Sequence, residues 1–341
     1  MNQPKVTIGI ILYRDTTYLP WSLPSLLNQD YPNTEFVIRD QSPEGEVYEW
    51  LEENHPDFFE KATISKADNV MHSGGHNAMI RDMKGEIYFC VGGDMLYPKN
   101  FVSRVVEAMQ DSQDHVATCK VMQWNFEEVK KGNLHGSKTT KIDSFGIGLT
   151  KSHRLFDRGQ GVEVTQFLED GKILGPSGTL AVFDRVALEA ISYKNEEGVL
   201  EYFDENLHYK NDCDLAYRLA WAGFKTLLVD VEVYHDRQLG EKSKGALQRL
   251  KHHHEKAKWA KESSLLGHLV VLKKNFDSNH SFSVKFRTIL SQLARYIYTL
   301  LLAPSMLKTY RKVRVMKPEI ERRKQQMKKS VPAQTIETLM T

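Results

Sequence analysis

The sequence predicts an α/β protein, a mixed and mostly parallel sheet flanked by helices and followed by a C-terminal helical extension. Three observations carry this. Strand and helix signals alternate through the first third of the chain. Short carboxylates close two of the apolar strands, at the strand ends where open α/β sheets bind ligands. Beyond Gly240 the chain turns helical and basic.

Residues 6–13, VTIGIILY, are a β-branched apolar run and read as a buried strand. Leu19, Leu23, Leu26 and Leu27 recur at helical spacing within 19–29, and 35–39 is a second strand that stops at Asp40 before a Ser-Pro-Glu-Gly turn. A helix over 47–54 and a strand over 61–65 follow. The glycine-bearing segment 71–75 precedes a helix expected over 76–83, and the strand 86–91 ends in Gly92, Gly93 and Asp94. Residues 125–172 are the least regular, with strand-like pieces at 142–150 and 162–167. Helices are expected over 185–191 and over 213–222, where Leu215, Leu219 and Ala222 share a face; the strand 226–234 leads into His235. Residues 289–307 are the most apolar helix, but Ser291, Gln292, Arg295 and Pro304 interrupt it, which suits a core or interfacial helix better than a membrane span.

Composition narrows the class. With 341 residues, 41% hydrophobic and 26% charged, the chain is neither disordered nor fibrous. Cys90, Cys119 and Cys213 are an odd count without CxxC spacing, so no disulfide framework or thiolate zinc site is expected and a reducing compartment fits. The opening MNQPKVTIGIILYRD suits a buried strand rather than a secretory signal. A formal net charge of +2 argues against a nucleic-acid partner, yet it averages two unlike parts. Residues 305–330 carry ten basic side chains against Glu319 and Glu321, a local +8, which leaves residues 1–304 at −5.

The residues suited to chemistry gather at predicted strand and helix ends. Asp40 can accept hydrogen bonds from a nucleobase or ribose, or simply start a turn. Gly74 and Gly75 allow close backbone approach to a phosphate, without the GxGxxG or P-loop lysine of dehydrogenases and ATPases. Asp94 is a carboxylate delivered by an apolar strand, as hard divalent cations require, and His235 ends another such strand. Asp212 and Asp214 open an amphipathic helix, where one serves the helix dipole and a second is free to act as a general base. The run His252, His253, His254 lacks HExxH spacing and reads as a solvated helix face.

In order and spacing these pieces resemble the GT-A glycosyltransferases of family 2, and among them the rhamnosyltransferase-like bacterial members that build surface polysaccharides. The resemblance spans about residues 5–275. It rests on VTIGIILYRDTTYLPWSLPSLLNQDYPNTEFVIRDQS, GGHNAMIRDMKGEIYFCVGGD, IDSFGIGLTKSHRLFDRGQG, GPSGTLAVFDRVALE and FDENLHYKNDCDLAYRLAWAGFKTLLVDVEVYH. It implies a catalytic domain over 1–240, with a nucleotide-binding half over 1–98 and an acceptor half over 99–240, before the basic helical extension 241–341.

The same resemblance assigns roles. Tyr13 and Asp40 would frame the nucleotide base, and Gly74, Gly75 and Asn77 would lie by the ribose and diphosphate. Gly93, Gly178 and Asp214 would complete the substrate site. Asp94, with His235, would hold Mg²⁺ or Mn²⁺ on the diphosphate, and Asp212 would deprotonate the acceptor hydroxyl for inverting attack at the anomeric carbon. The donor would be a dTDP-rhamnose-like or UDP-sugar, and the acceptor a glycan or lipid-linked hydroxyl. Two positions depart from the family's pattern: Gly92 and Gly93 precede Asp94 where an Asp-x-Asp pair is usual, and Asn211 stands where a glutamate precedes the catalytic aspartate. These departures leave a non-catalytic nucleotide or glycan binder as one alternative. The other is a sugar nucleotidyltransferase, disfavoured because LYRDTTYLP has no glycine. The expected location is cytoplasmic, with peripheral contact of 289–330 on the inner face of an anionic membrane; packing of the tail on the body, or a homodimer, is the competing expectation.

Overall fold

A computed structural model describes residues 3–237 and 258–341. The histidine run 252–254 and the 240/241 boundary lie outside the described residues. In chain order the elements are β1 (Val6–Leu12), α1 (Leu19–Leu27), β2 (Thr34–Asp40), α2 (Glu46–Asn54), α3 (Phe58–Lys61), β3 (Ala62–Lys66), α4 (Met71–Asp82), β4 (Ile87–Val91), β5 (Met95–Leu96), α5 (Phe101–Ser112), β6 (Val116–Trp124), α6 (Phe126–Lys130) and β7 (Lys138–Ser144). There follow β8 (Ile147–Leu149), β9 (Leu155–Asp157), β10 (Leu180–Asp184), α7 (Arg185–Ile191), β11 (Tyr193–Lys194), β12 (Leu200–Glu201), α8 (Asn211–Ala222) and β13 (Leu227–His235). The extension holds α9 (Lys258–Asn275), α10 (Phe282–Leu302), α11 (Leu307–Val315), α12 (Lys317–Gln326) and α13 (Ala333–Thr338).

Among the described residues, nine strands make one sheet in the order β3-β2-β1-β4-β10-β6-β13-β5, with β7 paired on β6. β1 pairs in parallel with β2 and β4, β2 with β3, and β6 with β13, while β10 runs antiparallel to both β4 and β6. Six strands therefore end along one edge. The helices α4 and α8, each leading into one of those strands, begin at that same edge. β1 and β4 are covered on both faces and are accordingly apolar apart from Thr7. Gly9 in β1 is required by packing, because a Cβ there would lie 2.0 Å from the Tyr88 hydroxyl on β4.

Several elements, among them α5, β6 and β10, escaped the reading of the sequence. α5 buries Phe101, Val102, Val105, Val106 and Met109 along one stripe, and β6 supplies the central antiparallel partner for β7. The expected strand at 162–167 is instead a single 3₁₀ turn, Val164–Gln166, preceded by the left-handed Gly159 and Gly161.

The extension is docked on the body. Tyr217 and Trp221 of α8 and Leu149 share one apolar cluster with Leu269, Val313, Ile320, Ile336 and Met340. Beside it lies a buried ionic cluster: Lys274 bridges Asp204 at 2.8 Å and Asp214 at 2.7 Å, and Arg323 bridges Glu201 at 2.6 Å and Asp204 at 3.1 Å. α10 is mounted with its apolar side outward. It turns Val284, Thr288 and Thr299 inward, and leaves Phe282, Phe286, Ile289, Leu290, Leu293, Ile297, Leu300 and Leu301 exposed. The helix expected at 289–307 thus starts earlier and ends at Leu302, and it is not a core helix.

Candidate active site

The C-terminal edge of the sheet brings Asp94 and His235 together. β5 turns back from β4 and pairs antiparallel with the end of β13, His235 opposite Met95. His235 Nε2 then lies 3.3 Å from Asp94 Oδ2, and its Nδ1 2.8 Å from Asp143 Oδ2 on β7. Arg237 closes the far side, 2.7 Å from both Asp143 and Asp157. Burial disfavours a proton on His235, but the hydrogen bonds to Asp143 and Asp94 outweigh it and raise its pKa to about 9. Burial would lift Asp94, and the hydrogen bond and charge of His235 hold it below the ordinary carboxylate range.

These residues fit a divalent cation. The Asp94 side chain is 41% exposed and offers oxygen, and an imidazole whose second nitrogen is fixed by a buried carboxylate is oriented as metal-bound histidines are. The glycine at 92 is part of the fit, since a Cβ there would meet Asp94 Oδ1 at 2.7 Å. Gly92→Ala therefore displaces the Asp94 carboxylate, and a several-fold weaker Mn²⁺ affinity with an unchanged Tm is expected from calorimetric titration; unchanged affinity would disprove the steric role.

Asp212 occupies the first turn of α8, partly exposed. Its Oδ2 accepts from Gly178 N at 3.2 Å and its Oδ1 from Cys213 N at 2.8 Å. Two backbone donors fix its direction without neutralising it, as a general base needs. Asn211 is committed next door, donating to His72 Nδ1 at 3.1 Å and to Ser73 Oγ at 2.9 Å, so α8 is tied to α4. Tyr13 lies 45% exposed at the end of β1, on the same edge, beneath the Arg14 guanidinium.

Five of the residues expected at the ligand are also engaged by the fold itself. Asp40 is fully buried and spends its carboxylate on the backbone of Ser42 at 2.9 Å and Tyr48 at 2.8 Å, fixing the loop into α2. Gly74 and Gly75 lie inside α4, which starts at Met71. A Cβ at Gly75 would strike Gln41 at 2.2 Å, so close packing requires a glycine there. Asn77 is buried with its amide saturated by Phe203 O, Glu205, Tyr202 N and Phe203 N. Asp214 is sealed between Arg218 at 2.9 Å and Lys274. Gly93 packs its α-carbon against Leu12 beside Asp94, and Gly178 reaches the site only through its N–H on Asp212.

One cluster was missed. His72 and His76, one turn apart on α4, meet Cys90 of β4, with all three donor atoms within 4.8 Å of one another. The i, i+4 histidines in HSGGH were the available signal. Burial lowers the pKa of both imidazoles, and it raises that of the Cys90 thiol. His76 also bonds Tyr88 at 2.7 Å, and the cluster is a softer donor set than Asp94 with His235.

Residues 7–192, which include Asp94 and Asp143 but not Asp212 or His235, match the family described as "Glycosyl transferase family 2". The chain belongs to glycosyl transferase family 2. Among solved structures, this family 2 chain resembles GalNAc-T7 with UDP, GalNAc and Mn²⁺, at TM-score 0.56 and 13% identity over 81% of this chain and 49% of that one. It also resembles the mannosyltransferase PcManGT from Pyrobaculum calidifontis in complex with GDP-Man and Mn²⁺ (TM-score 0.48, 19% identity, 90% and 73% covered). A third is S. aureus TarS 1-349 in complex with UDP (0.48, 14%, 92% and 91%). At such identities the likeness is one of fold, and the chain spans about half the length of the first of these structures. No curated protein matches the sequence.

Proposed function

We propose that this family 2 protein transfers a sugar, with inversion, from a nucleoside-diphosphate sugar to a hydroxyl of a glycan or lipid-linked acceptor in surface polysaccharide synthesis. The carrying observation is the pair of unlike acidic sites on one sheet edge, Asp94 with His235 and Asp212 at the head of α8. Asp94 and His235 would hold a divalent cation, which when bound would supply Lewis-acid stabilisation of the diphosphate leaving group. Asp143 and Arg237 hold His235 in place. Asp212 takes the proton of the acceptor hydroxyl, and Tyr13 offers an exposed ring for the base of the donor. The use of Mn²⁺ or Mg²⁺ is supported by the donor set and by the Mn²⁺ in GalNAc-T7, and a dTDP-rhamnose-like or UDP donor by the family resemblance.

Nucleoside diphosphate release from a panel of nucleotide sugars tests this reading. Metal-dependent turnover is expected of the wild type and is lost with Asp94→Ala. A variant that keeps the metal dependence intact would remove Asp94 from the site.

The same reading places the protein on an anionic membrane surface. No helix among the described residues is long and apolar enough to cross a membrane. The outward apolar stripe of α10 instead suits an interfacial helix, and Tyr296 on it lines a groove with Arg311, Arg314 and Lys317. Each such cation contributes about 1 kcal/mol near an anionic leaflet. Because 305–341 shares a core with the body, point substitutions rather than truncation are the test. Leu293, Ile297 and Leu300 changed together to Ser abolish flotation with phosphatidylglycerol vesicles at unchanged Tm. Retained flotation, or loss of a dimer in its place, would refute membrane contact.

A further inference from the structure

The inner face of α10 does not close directly on the body. Between α10, α9 and the residues just before α8 lies a cavity of about 480 Å³ whose lining includes Arg154, Lys210, Lys261, Arg295, His268 and Tyr298. Among the described residues its lining contains no Asp or Glu. Among the described residues Arg154, Lys210 and Arg295 make no ion pair, and Arg295 Nε is buried without a hydrogen-bond partner. Gathering like charges in a partly dehydrated space is unfavourable unless a counter-charge arrives.

His268 registers the potential inside the cavity. Burial, then the charges of Arg295 and Lys210, push its pKa down to about 3. Arg295 is itself lowered, by burial first, with Arg154 repelling it and Tyr310 opposing the fall. These directions agree with the geometry: cations facing one another across an unfilled volume of the size that small-molecule sites have.

We propose that this cavity binds the phosphate or diphosphate of an amphiphilic acceptor, the class of molecule that carries an anionic ester between a glycan and a lipid chain. Three features select that class. The cavity supplies several cationic donors, as a multiply charged phosphate ester requires. Lys210, on its wall, directly precedes Asn211 and Asp212, so the cavity adjoins the head of α8 that carries the proposed base. Arg295, Tyr298 and Thr299 line it from the same helix whose outer side presents the apolar stripe, so headgroup and chain are met by two sides of α10. The acceptor role rests on the transferase reading above; anion binding by the cavity does not.

Full-length protein is titrated with decyl diphosphate, with inorganic pyrophosphate and with UDP, following binding by calorimetry and the His268 ring by NMR. Decyl diphosphate is expected to bind about tenfold or more tightly than pyrophosphate and to raise the His268 pKa by about one unit or more, since the anion offsets the cations around it. Arg154→Gln with Arg295→Gln should weaken decyl diphosphate about tenfold or more while leaving UDP affinity unchanged, because UDP belongs to the Asp94 site. Lys210→Gln, a milder change on the opposite wall, should act in the same direction if the double variant does not fold.

Three outcomes would overturn the proposal. Pyrophosphate binding as tightly as decyl diphosphate would mark a free-anion site. UDP alone shifting His268 would assign the cavity to the donor. Unweakened binding in both variants would take the anion elsewhere. Loss of turnover in Asp212→Asn with decyl diphosphate still bound leaves the cavity standing, so failure of this proposal and failure of the transferase reading remain distinguishable.

Discussion

Asp212→Asn lowers sugar transfer by about 10²–10⁴-fold, the range that removal of a positioned general base produces. The substitution is nearly isosteric, and the amide oxygen can still accept from Gly178 N or Cys213 N, so α8 keeps its first turn. What is lost is the basic site. The loss should therefore fall on kcat, with the KM for donor little changed, because nothing in the Asp94, His235 and Asp143 group touches Asp212. Steady-state kinetics on both substrates checks this. An Asp212→Asn enzyme with more than about a tenth of wild-type kcat would exclude Asp212 as the base. The experiment also separates an enzyme from a degenerate binder, which has no turnover to lose.

The parts of this site that were legible in the sequence are those whose signal is local. Apolar runs ending in Asp94 and in His235 mark strands and their C-terminal ends, and a parallel sheet puts such ends on one edge. Their contact at 3.3 Å depends on β5 turning back onto β13, a two-residue pairing that no periodicity records. Asp143, Asp157 and Arg237 reach the site from β7, β9 and the chain after β13, so only the fold assembles them. Other expected site residues are engaged by the fold itself. Asp40, Asn77 and Asp214 are polar groups at element ends, and such groups satisfy a ligand or satisfy the backbone and buried cations with the same chemistry. Likewise the hydropathy pattern of α10 reveals an apolar stripe without revealing that the stripe faces out. Asp94→Ala and Gly92→Ala test the local part of the reading, and the buried cations test the part that only the fold supplies.

Lys274→Met destabilises the protein by about 3–5 kcal/mol, a large share of the ~5–15 kcal/mol that holds a typical domain folded. Lys274 is fully buried on α9 between Asp204 and Asp214, with its ammonium near the Tyr193 ring shared by Arg218 and Arg323. Methionine fills a similar volume, so packing is nearly kept while two buried carboxylates each lose a partner. Asp204 retains Arg323 and Asp214 retains Arg218, which is why the cost stays within that range and does not exceed it.

Acid supplies an independent readout of the same cluster. Burial would raise the pKa of Asp204, but the charges of Lys274 and Arg323 pull it down to about 2. A depressed carboxylate stabilises the fold above its unfolded pKa of about 3.9, and that contribution fades as the pH falls through the folded value. Wild type should therefore lose stability between about pH 4 and pH 2, and Lys274→Met should lose less over the same interval, because its Asp204 is less depressed to begin with. Denaturant unfolding at pH 7 and at acid pH measures both quantities. A Lys274→Met protein within about 1 kcal/mol of wild type at pH 7 would mean that the Lys274 bridges add little to the docking of the extension, and that Asp204 and Asp214 do not depend on them.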